Sequence, residues 1–365
     1  MSLLLKGIGT AVPPCSISQA DSAELWASFA GVEGKKARIV QALYRKSGVK
    51  KRHSTLLEEP RDSSPQRQTF FEPIRSSDDH GPTTEDRMKR FEADAPELAR
   101  SASAAALEGA GMTGEEVTHL VTVSCTGFFA PGLDTTLIDL LGLPPTVERT
   151  HVGFMGCHGS LNGLRVASAF TGADPGARVL MSSVELCSLH MSYGWDPDWL
   201  VANSLFGDGA AAVVGVGKDS PVPDRSWELA SNGTCRLPGS SDAMSWRIGN
   251  HGYRMTLSNQ VPDIIQAHLK DWVAEWLGGQ GLTLDDVATW AVHPGGPRIL
   301  TAVGEALDLP THANQVSRDV LSEFGNMSSA TILFILDRLR KMDAPRPLVA
   351  LAFGPGLVAE AALFL

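Results

Sequence analysis

Cysteine is scarce and scattered in this chain. Its five residues stand at positions 15, 125, 157, 187 and 235, never closer than 30 apart. An odd number so spaced excludes a disulfide framework and a clustered metal site, and makes a reducing, cytoplasmic setting the simplest expectation. No run of apolar residues approaches 18, and no lipidation motif or basic amino-terminal stretch leading into an apolar one is seen. Neither membrane insertion nor removal of a leader is therefore expected. Basic charge is short as well: 31 Lys and Arg against 41 Asp and Glu give a net charge of -10. That balance excludes a nucleic-acid surface built on phosphate contacts. HExxH, GxxxxGK with Ser or Thr after it, and GxGxxG after a strand are all missing. Metalloprotease, P-loop and dinucleotide-binding chemistries lose their support with them.

What is present reads as the same statement made twice. PELARSASAAALEGA (96–110) has helical composition with Pro at a plausible first turn, and GMTGEE leads into the β-prone VTHLVTVSC. PDIIQAHLKDWVAEWL (262–277), GGQGLTLDD and VATWAVH repeat that order. Val123 precedes Cys157 by 34 positions, and His293 precedes Asn326 by 33. Each of the later pair opens a small-residue segment running into an apolar helix, GCHGSLNGLRVASAF and GNMSSATILFILDRL. Each half then supplies an FGxG turn before a hydrophobic strand, FGDGAAAVVGVG and FGPGLVAEAALFL. This is an internal duplication. Alternating helices and apolar strands predict an α/β fold with mostly parallel sheets covered by helices. No Pro/Ser-rich linker marks the middle, so the halves are expected to pack as one body. The polar stretch 58–90 is expected to be an irregular excursion.

Three residues at the duplicated turns carry the chemistry. Cys157 is expected at a helix start, where exposed N–H groups favour an anion and lower the thiol pKa, which makes a nucleophile. The alternative is a buried cysteine serving as a small hydrophobe. His293 ends an apolar strand at PGGP, at the sheet's carboxyl end where α/β proteins bind ligands; the alternative is a core histidine. Asn326 occupies the helix start equivalent to Cys157, and Asn is also a favoured cap. Pseudo-twofold symmetry brings the two helix starts together. Thiolate, imidazole and carboxamide then suit thioester work, with a nucleophile and two donors for a negative oxygen. Asn beside His is less natural for a hydrolytic relay. His158 is expected to serve packing or surface, since neighbours at a helix start point apart.

MGCHGSLNGLR, LFGDGAAAVV, WAVHPGGPRIL, LSEFGNMSSATILFILD and AFGPGLVAEAALFL, in order over nearly the whole chain, resemble the chalcone synthase-like, or type III, polyketide synthases. The resemblance implies a thiolase-like fold of two duplicated halves in five αβαβα layers, with residues 1–218 bringing the Cys and 219–365 the His and Asn. It also implies a homodimer, and iterative decarboxylative condensation of malonyl-CoA onto an acyl-CoA starter. Coenzyme A thioesters are then substrates, and no cofactor is needed. Cys157 would carry the growing chain, His293 and Asn326 would hold the malonyl thioester, and Phe206 would be gatekeeper, with Met255 at the second gatekeeper position. Ser328 and the Gly354, Pro355 and Gly356 loop would shape the cavity.

Residues 35–52 hold eight basic and no acidic residues, a local attraction for a polyanion such as coenzyme A. By resemblance Lys46, Gly295 and Gly296 fall on CoA-binding positions, while Ile39 and Ala42 replace two other basic contacts. Arg38, Arg45 and Lys50 are candidates to substitute. Cys125, Thr126, Ala130 and Cys187 stand where the plant enzymes carry larger or more polar pocket residues. With the apolar, flexible Met255, they resemble microbial members that take long fatty acyl starters and release alkylpyrones or alkylresorcinols. The nearest alternative is a single condensation of the β-ketoacyl-ACP synthase III type. A Cys-dependent hydrolase and an inactive binding protein of the same fold are the remaining alternatives. Trp195 and Trp199 are candidates to line an entrance.

Overall fold

The computed structural model describes residues 3–59, 67–76, 78–218 and 226–365. The expected junction after residue 218 adjoins residues outside that set, and part of the stretch 58–90 also lies outside it.

The first half runs through β1 (Leu3–Ala11), β2 (Ser16–Ser18), α1 (Gln19–Phe29), α2 (Gly34–Lys46) and β3 (Lys51–His53). It continues with α3 (Thr84–Ala110), β4 (His119–Ser124), α4 (Leu133–Leu141), β5 (Glu148–Gly153) and α5 (Gly159–Ala173). It closes on β6 (Arg178–Leu186), α6 (Pro197–Leu205) and β7 (Asp208–Gly217). The second half opens on β8 (Trp227–Arg236), the hairpin β9 (Met244–Gly249) and β10 (Gly252–Leu257), and α7 (Val261–Gly278). β11 (Thr289–Val292), α8 (Pro297–Ala306), α9 (Gln315–Phe324), α10 (Thr331–Lys341), β12 (Leu348–Gly354) and β13 (Val358–Phe364) complete it.

Nine strands form one sheet in the order β11, β12, β13, β8, β1, β7, β6, β4, β5. The duplication is visible in that order. β11, β12, β13 and β8 mirror β4, β6, β7 and β1 about a short junction where Leu3, Leu4 and Leu5 pair with Leu229, Glu228 and Trp227. β5 adds an outer edge to the first half alone.

The sheet is mixed, which corrects the expectation of mostly parallel pairing. β4 runs parallel to β5 and β6, and β11 to β12; the other pairings are antiparallel. The reason is local in the second half: β12 turns into β13 through Pro355–Leu357, far too short for a parallel crossover.

Alternation along the strands sends successive residues to opposite faces, and this builds the layers. Val121, Met181 and Val213 of the first half, and Leu348, Ala350 and Phe364 of the second, meet α5 and α10 in one buried cluster. Their neighbours Leu120, Leu180 and Val214 pack on α3 and α4. Val349, Leu351 and Leu363 pack on α7 and α8. Outer helices, the first-half strands, central helices, the second-half strands and outer helices are the five layers of the thiolase-like fold. The central position of α10 explains its run of buried residues from Thr331 to Asp337, since a helix covered on all sides is apolar all round.

One helix differs from the sequence reading. α3 begins twelve residues before Pro96, so that Pro lies inside it rather than in its first turn, and the irregular stretch ends at Thr83. A capping box starts it: Thr83 Oγ1 accepts from the Asp86 N–H, and the Asp86 carboxylate accepts from the Thr83 N–H at 3.1 Å. The buried stripe of Phe91, Ala95, Ala99 and Ala102 spans the proline on both sides, so packing outweighs the lost hydrogen bond.

Replacing Leu333, fully buried in the central layer, by Ala is expected to cost about 2–5 kcal/mol. The same change at the exposed Met342 should stay within about 0.5 kcal/mol. Denaturant unfolding of the two variants checks the difference.

Candidate active site

Cys157 stands two residues ahead of α5, in the turn that leaves β5. The turn is shaped by backbone that a side chain would obstruct: Gly156 has φ 82°, and a Cβ there would lie 2.2 Å from Pro355 Cδ. Glycine alone fits that approach. The Gly156 N–H donates to Cys125 Sγ at 2.9 Å, so Cys125 holds the turn from below.

His293 follows β11 directly, and its backbone N–H donates to the Leu351 carbonyl of β12 at 2.8 Å. Asn326 is fixed against the first half. Its N–H donates to the Leu205 carbonyl at 2.8 Å, and its own carbonyl accepts from the Gly207 N–H at 3.0 Å. This small parallel bridge sets Asn326 beside Phe206. The Asn326 side-chain oxygen accepts from the Ser328 N–H at 2.8 Å, which leaves the amide N–H groups as what the side chain can offer. Asn326 thus caps the turn before α10 with its oxygen, while its amide N–H groups are turned to Cys157.

Cys157, His293 and Asn326 line one small cavity together with Phe206, Met255 and Gly295, with ≈ 30 Å³ open to the centre of a water molecule. Cys157 also lines a larger cavity with ≈ 120 Å³ of such space, and Phe206 and Met255 border both. Cys125, Thr126, Cys187, Ser328, Pro355 and Trp199 line the larger one. Ala130 does not: it lines a separate pocket with Phe128, Phe129 and Arg149, because the chain after Thr126 turns away from the sulfur. Gly354 and Gly356 shape the turn on either side of Pro355 without lining either cavity, and Gly296 caps α8. Trp195 is exposed, with the Lys36 ammonium 5.2 Å from its ring. Lys46 lies on the exposed end of α2; Lys35, Lys36, Arg38, Arg45, Lys46 and Lys50 are exposed and make no ion pair among the described residues.

The electrostatics reverse one sequence expectation. The Cys157 thiol is not acidified: burial pushes it up to about 12, against smaller downward pulls from hydrogen bonds of Ser328, Asn326 and the Cys157 N–H. Desolvation of a charge in a closed cavity outweighs the helix start. Burial likewise depresses His293 to about 3, helped by the nearby His158. Thiol and imidazole are both neutral at rest, so a thiolate forms only as its proton passes to a base.

Two buried histidines make the contrast clear. His190 donates from Nε2 to the Thr126 carbonyl at 2.6 Å and accepts at Nδ1 from the Tyr253 N–H at 3.0 Å. Both its nitrogens are occupied. His293 is as buried, yet neither ring nitrogen has a partner among the described residues. A buried polar pair left open is what a site awaiting a ligand shows.

Sequence reasoning missed several wall residues. His190 stacks on Tyr253 with centroids 4.1 Å apart, and Trp246 meets both edge-on. The Trp246 indole N–H donates to the Cys125 carbonyl at 2.8 Å, latching the β9–β10 hairpin over the cavity. Glu185 was missed too. Fully buried, it accepts from the Cys125 N–H at 3.0 Å, from Thr126 Oγ1 at 2.7 Å and from Ser329 Oγ. A lone Glu inside the apolar strand SSVELC was the available signal.

Residues 2–220 match the family described as chalcone and stilbene synthases, N-terminal domain, and residues 228–365 match its C-terminal domain. The chain belongs to the chalcone and stilbene synthase family. It is a type III polyketide synthase and hence an acyltransferase. It is 34% identical over 357 residues to the 1,3,6,8-tetrahydroxynaphthalene synthase of Streptomyces peucetius subsp. caesius, covering 97% of this chain and 90% of that one. It is 32% identical over 367 residues to the alpha-pyrone synthesis polyketide synthase-like Pks18 of Mycobacterium tuberculosis, covering 99% and 90%. PKS-I of the brown alga Ectocarpus siliculosus superposes with a TM-score of 0.90 at 30% identity, over 99% of this chain and 97% of that one. The C-terminal type III polyketide synthase domain of Steely1, a type I/III hybrid from Dictyostelium, gives 0.89 at 29% identity, over 100% and 99%. Among the described residues no helix is long and apolar enough to cross a membrane.

The His293 value gives a pH prediction. A folded value near 3 against an unfolded one near 6.5 means that only the unfolded chain takes up this proton between those limits. The stability held by the neutral ring is present above pH 6.5 and lost as pH falls toward 3. Relative to His293→Asn, the wild type should therefore lose stability on acidification, by up to about 1.4 kcal/mol per pH unit. Urea midpoints of both proteins between pH 7 and 4 test this; parallel curves would show that His293 is not held neutral.

Proposed function

We propose that this enzyme builds a polyketide on Cys157 from malonyl-CoA and a long-chain fatty acyl-CoA starter, and releases an alkylpyrone or alkylresorcinol. One observation carries the proposal: a single sulfur borders two cavities, one holding His293 and Asn326 and the other leading to apolar walls. Loading transfers the Cys157 proton to the neutral His293 as sulfur attacks the starter thioester, and coenzyme A leaves with that proton. The acyl chain then lies in the larger cavity. In the smaller one, the Asn326 amide and a His293 N–H hold the malonyl thioester oxygen while the carboxylate leaves as CO2. The resulting enolate carbon attacks the acyl thioester, forming the carbon–carbon bond and returning the sulfur as thiolate. Phe206 and Met255 guard the passage between the cavities.

Several features support the long-chain starter. The larger cavity runs from Cys157 past Cys125 and Cys187 to Leu25, Trp26, Phe29 and Phe71, an apolar wall suited to an alkyl chain. No Asp or Glu lines it among the described residues. A relative at 32% identity is named for alpha-pyrone synthesis. The unpaired basic face of α2, including Lys46, suits the phosphates of coenzyme A, with Gly295 and Gly296 at the thioester end. On this reading the substrates' own coenzyme A is the one nucleotide group involved and no cofactor takes part.

The reading includes two functional halves, residues 1–218 and 219–365, and a homodimer formed at the β5 side. The open edge of β5, a backbone row left unpaired, and the exposed apolar side chains of Phe128 and Met155 are features of the kind that subunits cover.

Mass analysis of products from malonyl-CoA with starters of graded length tests the proposal. Turnover of C10 and longer starters into multiply extended, cyclised products is expected; use of short or aromatic starters alone overturns the long-chain reading. A single condensation on acyl carrier protein would instead mark a β-ketoacyl-ACP synthase III-like enzyme, and free acid a hydrolase. Cys157→Ala should abolish acyl loading. His293→Ala and Asn326→Ala should each slow malonyl decarboxylation by about 10²–10³-fold, the worth of a removed oxyanion donor. Phe206→Ala should change the starter profile with little effect on the unfolding midpoint.

A further inference from the structure

His158 follows Cys157 directly, and its place is neither surface nor simple packing. It is 2% exposed, and its Nδ1 lies 2.7 Å from the Asn162 side-chain oxygen. The direction of that bond is fixed from the far end of a chain of contacts. Glu360 is held by the Arg165 guanidinium, accepts from Thr234 Oγ1 at 2.8 Å, and accepts from Asn162 Nδ2 at 3.0 Å. A carboxylate engaged by Arg takes a donor from Asn162, so the Asn162 oxygen faces His158 and Nδ1 carries the proton. The tautomer is set. The network crosses from α5 of the first half to β8 and β13 of the second.

The ring then fills a space in the second half. A Cβ on Gly354 would lie 2.4 Å from His158 Cδ2 and 2.5 Å from Nε2. Gly156, on the other side of Cys157, is closed against Pro355. The sulfur-bearing residue thus sits between two close contacts with one turn of the opposite half.

We infer that His158 is a positioning residue: locked by Asn162, Glu360 and Arg165, it seats the Gly354–Pro355 turn and so sets the sulfur of Cys157 against His293 and Asn326. This rests on the reading of Cys157 as acyl carrier. Its signature is loss of coupling. Decarboxylation needs His293 and Asn326, whereas condensation also needs the sulfur in place, so a displaced sulfur wastes malonyl-CoA.

The test measures CO2 released and carbon–carbon bonds formed, with malonyl-CoA and an acyl-CoA starter, in His158→Ala, His158→Phe and His158→Gln. His158→Ala should lower kcat for condensation roughly 10–100-fold, with a smaller change in KM, and CO2 should exceed the bonds formed. His158→Gln keeps a donor for the Asn162 oxygen and should restore most of the coupling. His158→Phe keeps the bulk without the donor and stands in where the Ala variant does not fold; it too should uncouple. A wild-type ratio of CO2 to bonds in the folded Ala or Phe variant overturns the inference. Cys157→Ala separates the two readings. Condensation that survives its loss sinks the carrier role itself, whereas its loss with wild-type coupling in the His158 variants sinks only the positioning role.

Discussion

The structure depends on a contact with no slack: the Gly156 backbone pressed on the Pro355 ring, where the two halves meet. Neither half holds a complete site. The thiol belongs to a turn of the first, and the imidazole and the carboxamide belong to turns of the second. Their meeting rests on the one buried cluster that α5 and α10 share with the strands of both halves, since close-packed layers fix relative position in a way that loops cannot. The β1 to β8 junction adds only three paired residues, so the registration falls to packing and to separate bonds between the halves, such as those of Asn326 with Leu205 and Gly207.

Duplication made the site legible. Cys157, His293 and Asn326 stand at matching points of two similar passages, and that symmetry, more than any local composition, separated them from a core cysteine, a core histidine and a cap. The layers were expected from the family resemblance that those passages carry, whereas the duplication alone predicted a more parallel sheet than the one seen. What escaped was set by distance in the fold. Trp246 and Tyr253 wall the cavity because a hairpin from the second half lies over the first, and nothing near them in the chain says so. Ala130, assigned to the cavity by resemblance, lines a separate pocket of this chain with Phe128 and Phe129.

The charge state of the sulfur was misread because it is a property of enclosure. A helix start favours an anion where water reaches it, but around Cys157 the cavity removes the water and the neutral thiol wins. The same enclosure leaves His293 an unprotonated ring with both nitrogens open. The resting site is thus uncharged, which suits a catalyst whose donors must answer a charge that appears only in the course of reaction.

Glu185 has a bearing on what such a chamber can hold. Its carboxylate lies close behind the wall, but Cys125, Thr126 and Ser329 occupy it, as Ser188 occupies Asp208, and no Asp or Glu lines the larger cavity itself among the described residues. A water molecule straying into the larger cavity meets no carboxylate in its wall to draw off its proton. On the proposed reading, a chain of alternating ketones held there would be spared the carboxylate-assisted attack of water that cleaves it.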